Sequence, residues 1–202
     1  MRRTELVRRL SKVPAFPHPD PTGEQVATPA DLAADLLTEA LARGDVEGRT
    51  VVDLGAGTGV LALGAAILGA ASVEAIERDP AAARLGAATS ATWGLSVRWE
   101  TRDVGEGQGL VDTVVMNPPF GAQRAHADRP FWTEAFRRGR RVYAYALADS
   151  RTFIERSAVA RAVRIEDARP VPWTLPRTFP HHRKRSVELA VDRWILTTRD
   201  GP

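Results

Sequence analysis

Between residues 50 and 159 the chain alternates short β-branched apolar runs with longer stretches whose apolar positions recur every three to four residues. That alternation marks strands separated by helices. Strands are predicted at 51–54, 73–77, 95–100, 111–116 and 142–147, and helices at 60–68, 80–92, 130–138 and 150–159. An earlier helix carries Leu32, Leu36, Leu37, Ala40 and Leu41 on one face. Thr28 is its expected N-cap, Pro29 its first residue, Asp31 a first-turn acid and Gly44 its stop. Residues 14–23 hold four prolines and read as an extended connector. Two long strands, 161–171 and 186–198, close the chain around a loop rich in proline and base. The expectation is an α/β fold: a mostly parallel sheet with helices on both faces and an antiparallel C-terminal addition. One domain is expected over 24–202, preceded by a basic segment and proline-rich lead-in at 1–23.

Composition narrows the classes. Hydrophobic residues make up 44% of the 202, too many for a disordered chain, and no apolar run is long enough to span a bilayer. Cysteine is absent, which removes disulfides and thiolate metal sites and fits a cytoplasmic protein. No metal site is expected. Net charge is only +3, but bases cluster at Arg2, Arg3, Arg8, Arg9 and Lys12, at 137–141, and at 181–185. Such clusters point to a polyanion partner, although a solvated surface is the plainer reading of any single one.

Two motifs carry the candidate chemistry. The first is Asp53-Leu54-Gly55-Ala56-Gly57-Thr58-Gly59, between the first strand of the alternating region and a helix. Its glycine spacing is not the one that seats a pyrophosphate on a helix N-terminus. The acid before Gly55 suits the cationic amino-acid portion of S-adenosylmethionine. Glu77, ending the next strand, is placed to accept hydrogen bonds from ribose hydroxyls, and Asp103, past the third, from the cofactor's adenine amine. The plainer alternative is a glycine-rich turn with unrelated capping acids.

The second motif is Asn117-Pro118-Pro119-Phe120, directly after the strand at 111–116. Ligands of open α/β sheets bind outside the carboxyl ends of the strands, so both motifs face one edge. An exocyclic adenine amine is a poor nucleophile, because its lone pair is delocalised into the ring. The Asn117 side-chain oxygen and the Pro118 carbonyl can each accept one of its N–H groups. Pro119 stiffens the turn, and Phe120 offers a stacking face to an extruded base. The plainer alternative is a loop with two prolines and a buried aromatic.

With these residues placed, the chain resembles the adenine-N6 rRNA methyltransferases of archaea and eukaryotes, which act on small-subunit rRNA. The resemblance covers residues 24–198. It rests on the two motifs, on Glu24, Gln25 and Thr28, on 114–121, on Val142 and Tyr143, and on 179–191. Val26 and Ala27 stand where the family usually has an aromatic and a proline or polar residue. The resemblance implies the Rossmann-like class I fold, seven strands in the order 3-2-1-4-5-7-6. It also implies S-adenosylmethionine held by Gln25, Thr28, Asp53, Gly55, Gly57, Gly59, Glu77, Asp103 and Asn117. A small zinc-binding activator protein is implied as partner, docking on the edge strand near 95–100. Such an edge is open to strand addition, with Trp99 either at that interface or covered by a helix.

Arg124, His126 and Arg129 follow the second motif, and His182, Arg183, Lys184 and Arg185 precede the last strand. These are the candidate RNA contacts. Trp173 and Trp194 read as packing residues, while Tyr143 and Tyr145 face either pocket or core. Three rival functions remain at this stage: a methyltransferase of release-factor glutamine, a DNA adenine methyltransferase, and a non-catalytic rRNA-binding assembly factor keeping the cofactor fold.

Overall fold

A computed structural model describes residues 1–16, 26–120, 126–176 and 186–198. Seven strands form one sheet: β1 (Thr50–Leu54), β2 (Ser72–Glu77), β3 (Arg98–Thr101), β4 (Val111–Met116), β5 (Gly139–Leu147), β6 (Arg164–Pro176) and β7 (Ser186–Thr197). Their order is β3-β2-β1-β4-β5-β7-β6, as the resemblance implies. Strands β1 to β5 pair in parallel, and β7 lies antiparallel between β5 and β6. The helices are α1 (Arg3–Leu10), α2 (Ala30–Ala42), α3 (Val60–Ile67), α4 (Pro80–Thr92), α5 (Arg129–Arg138) and α6 (Arg151–Val159). None of the described helices is long and apolar enough to cross a membrane.

Neighbouring strand residues point to opposite faces, and this splits the core in two. Val51, Val115, Tyr143, Tyr145 and Trp173 join α1, α2 and α3 on one face. Val52, Val114, Val142, Ala144 and Trp194 join Trp132, Phe136 and Ile154 on the other. Trp173, Trp194, Tyr143 and Tyr145 are thus all core residues.

Several local expectations are corrected. Helix α1 arises within the segment read only as basic: Leu6 and Leu10, four apart, share a face and are buried, while Arg3 pairs with Asp35. Thr28 does not cap α2, since the helix starts at Ala30 with Pro29 in the cap position. Proline at the cap fixes φ and supplies no side-chain acceptor, which frees Thr28 for the cleft described below. Strand β3 starts at Arg98 because its register with β2 opens at Glu74↔Arg98. Strand β5 starts at Gly139, where it pairs with Val111 of β4, and β6 runs to Pro176, where it pairs with Ser186 of β7, both beyond their expected limits.

The basic run 137–141 is largely structural. Arg138 is only 2% exposed and bridges Glu74 at 2.8 Å and Glu134 at 3.0 Å. Arg137 donates to the Gly107 carbonyl, and Arg141 pairs with Glu166 and Asp45. Helix α5 runs away from the carboxyl edge, so its basic C-terminus sits at the opposite end of the sheet, where it closes on acids of β2 and α5.

Candidate active site

Register brings the two motifs together. In the parallel β1–β4 pair the last partners are Leu54 and Met116. The next residues, Gly55 and Asn117, therefore leave adjacent strand ends at the same edge. Between them opens a cleft lined by Phe16, Val26, Ala27, Thr28, Asp53, Gly55, Ala56, Gly57, Thr58, Val60, Leu61 and Asn117.

The glycine turn is needed for packing as well as approach. A Cβ on Gly55 would stand 2.7 Å from the Phe131 ring, one on Gly57 2.7 Å from Phe16, and one on Gly59 2.7 Å from Trp99. Gly59 also has φ of 97°, a left-handed conformation at the N-cap of α3 that glycine adopts without strain. Three aromatic rings thus cover the three glycines. Trp99 enters between Gly59 and Gly86 of α4, and its Nε1 donates to Ser90 Oγ at 3.0 Å. Of the two readings of Trp99, the helix-covered one holds.

Asp53 ends buried, with Oδ2 accepting from the Ala62 amide at 2.9 Å and Oδ1 without a hydrogen-bond partner among the described residues. Burial pushes its carboxyl up to about 7; the Ala62 amide opposes this and the nearby Glu77 charge adds to it. Glu77 is buried and holds the turn itself. Its Oε2 accepts from the Gly57 amide at 2.7 Å and its Oε1 from the Asp79 amide at 2.8 Å. Each oxygen keeps a further lone pair, but Glu77 does not line the cleft. Asp103 is exposed beyond β3, outside that lining.

Asn117 is oriented from below. Its Nδ2 donates to the Val26 carbonyl at 3.1 Å, and its Oδ1 is buried without a partner among the described residues. Phe120 is held edge-on by Trp173, ring centroids 5.5 Å apart at 77°. Trp173 in turn meets Tyr145 at 5.2 Å, and Tyr145 donates to the Leu32 carbonyl of α2. Pro118 is buried and Pro119 half-buried in the turn between them.

The candidate RNA contacts divide. His126 is exposed with φ of 67°, and exposed Arg129 lies 4.8 Å from the Phe153 ring centroid. Both are at the carboxyl-edge end of α5. Gln25, Arg124, His182, Arg183, Lys184 and Arg185 lie outside the described residues. The strands on either side of 177–185 are described. The β5–β7 ladder stops at Leu147↔Val191, while β6 and β7 continue to Pro176↔Ser186, a two-stranded arm about 17 Å long beyond the carboxyl edge. Sequence reasoning missed Phe16 and Phe131. Phe16 lies in the connector at 14–23 and Phe131 in the predicted helix at 130–138, and only the tertiary structure brings them onto the turn.

Two buried, unpartnered oxygens, Asp53 Oδ1 and Asn117 Oδ1, beside the glycine turn fit a ligand that brings cationic and amine N–H donors. That is the donor set of S-adenosylmethionine with an amine substrate. Among the described residues no cluster of His, Asp or Glu has the arrangement of a metal site.

Comparisons with known proteins agree. Residues 26–143 match the methyltransferase small domain family. The rRNA N(6)-adenosine-methyltransferase METTL5 of Danio rerio is 30% identical, covering 95% of this chain and 97% of that one. An uncharacterized protein of Methanocaldococcus jannaschii is also 30% identical over 95% of this chain and 92% of its own. The crystal structure of a putative RNA methyltransferase from Pyrococcus horikoshii superposes with TM-score 0.89 at 38% identity, covering 98% of both chains. The chain belongs to the methyltransferase small domain family and, within it, to the group that includes the rRNA N(6)-adenosine-methyltransferases.

Proposed function

We propose that this enzyme methylates the N6 amine of an adenine in RNA, small-subunit rRNA by its resemblance, with S-adenosylmethionine as donor. The observation that carries this reading is Asn117, which lines the cleft beside the glycine turn and keeps a buried Oδ1 with no partner among the described residues. Bound there, S-adenosylmethionine supplies an electrophilic methyl on sulfur. The chain's own residues do the rest. Asn117 Oδ1 and the Pro118 carbonyl hold the two N–H groups of the amine and localise its lone pair on nitrogen, toward the methyl group. Phe120, braced by Trp173, stacks on the extruded base. Asp53 receives the ammonium end of the cofactor. The reaction then depends on alignment more than on a base, since the amine loses its proton only after attack. Thr28 and Gln25 complete the cofactor site, with Glu77 and Asp103 toward ribose and adenine.

His126 and Arg129 form one side of an RNA path. His182, Arg183, Lys184 and Arg185, which lie between β6 and β7 in sequence, are the further phosphate contacts of this reading. An rRNA substrate goes with a cytoplasmic location.

A zinc-binding activator protein docking on β3 is part of the reading. The two ends of the sheet differ in a way that favours β3. The outer strand β6 carries Pro170 and Pro172, two apart and exposed, and both stay in register with β7, opposite Asp192 and Ala190. Lacking N–H groups, they leave the outer edge short of donors and blunt it. Strand β3 has no proline and keeps its full set.

The test is mapping of N6-methyladenosine in rRNA from cells with and without the gene, repeated in vitro with purified protein and labelled donor. One adenine losing its mark, and regaining it in vitro, is the expected result. Transfer to release factor or to duplex DNA alone would select a rival. Amide exchange at 98–101 should slow on adding the activator; no change would remove β3 as its dock.

A further inference from the structure

Phe16 stands out as a large apolar ring left part-exposed at the cleft, contributed by a segment with no assigned role. Its placement is built. Leu6 and Leu10 anchor α1 against α2 and α3, and Val13 packs on the same core. The Pro14 carbonyl then accepts from Thr58 Oγ at 2.7 Å, tying the end of the segment to the glycine turn. This sets the Phe16 ring on Gly57, with Cζ 2.7 Å from where a Cβ would stand. The ring therefore shares one cleft with Asp53, Thr28 and Asn117.

We propose that Phe16 is a cofactor-binding residue: its ring forms the outer apolar wall of the S-adenosylmethionine pocket and retains the cofactor against the glycine turn. The inference rests on the cofactor reading above. The physical reason is the unburied face. One side of the ring is already covered by Gly57, and the side left open toward the cleft gains by being covered, at about 25 cal/mol per Å² of apolar surface removed from water. Ligand contact supplies that cover. Retention acts chiefly on the dissociation rate, because the wall must move or the ligand must slide past it. The competing explanation is that Phe16 only fastens α1 to the turn. That role would act on folding stability and leave ligand affinity alone.

The experiment measures binding of S-adenosylmethionine and of S-adenosylhomocysteine by calorimetry and stopped flow, on the full chain and on Phe16→Ala and Phe16→Leu. S-adenosylhomocysteine supplies a readout independent of turnover. The expected result is about tenfold weaker binding of both ligands in Phe16→Ala, mostly through faster dissociation. Phe16→Leu, which keeps apolar volume, should recover most of the loss. Thermal unfolding without ligand is recorded alongside. Unchanged affinity in a folded Phe16→Ala, with or without a lower Tm, would overturn the inference. If Phe16→Ala does not fold, Phe16→Leu decides: affinity and dissociation rate identical to the unaltered chain would overturn it, and a partial loss would support it. Failure of the unaltered chain to bind either ligand would overturn the cofactor reading and this inference together.

Discussion

Asn117 Nδ2 donates to the main-chain carbonyl of Val26, and a carbonyl can only accept, so the Asn117 amide has one orientation, with Oδ1 turned away from Val26. Val26 precedes α2 by only a few residues, so the lead-in to that helix also fixes the Asn117 amide. Asn117→Ala should lower methyl transfer by roughly 10²-fold or more, with cofactor affinity within a few fold. Asn117→Asp should be no better, because a carboxylate facing the Val26 carbonyl lacks a donor. Tritium transfer and calorimetry check both. Full activity in Asn117→Ala would remove this residue from the mechanism.

Asp53 predicts a pH dependence. Its carboxyl is raised from 3.8 to about 7, so the folded chain holds that proton more tightly than the unfolded chain. Its contribution to stability is therefore fully present below about 4 and is lost as pH rises toward 7. Cofactor binding runs the other way, since an ammonium group prefers the ionised carboxylate. Affinity for S-adenosylmethionine should rise between pH 6 and pH 8, with the steepest change about the raised value of 7. Asp53→Asn should bind weakly and without that slope. A parallel slope in both proteins would show that another group titrates.

Gly86 tests the Trp99 packing. A Cβ there would lie 2.0 Å from Trp99 Cη2, so the ring or α4 must shift. Gly86→Ala should destabilise by about 1–3 kcal/mol in denaturant unfolding, despite the better helix propensity of alanine. A gain in stability would show that the ring moves freely.

Arg138 is the buried centre of an ion network rather than a surface base. Arg138→Ala leaves the Glu74 and Glu134 carboxylates without their buried partner, and should cost about 3–5 kcal/mol. Arg140→Ala, half-buried in the same run, should cost much less. Equal losses would contradict the assignment.

Trp173 acts through Phe120. Trp173→Leu should reduce kcat/KM for RNA about tenfold while leaving cofactor affinity unchanged, because it frees the Phe120 ring without touching the cleft lining. Trp173→Phe should recover part of the loss. Weaker cofactor binding in both would mean the damage is general.

Much of this protein is written in local pattern. Alternating β-branched runs and helical periodicity determined an α/β sheet, and chain order placed the glycine turn after β1 and Asn-Pro-Pro-Phe after β4. Parallel register does the rest, since adjacent parallel strands must end at one edge. What the local pattern left open was decided by contacts between distant residues. Helix α1 is short, with three arginines among its eight residues, so only burial of Leu6 and Leu10 against α2 makes it an element. The bases at 137–141 look alike in sequence, but Arg138 turns inward because Glu74, 64 residues away, meets it there. Phe16, Phe131 and Trp99 come from three separate segments, and no periodicity links them. Their convergence on three glycines exists only once the sheet has brought the segments together. Periodicity is a property of neighbours along the chain, whereas side-chain partnership is a property of neighbours in space.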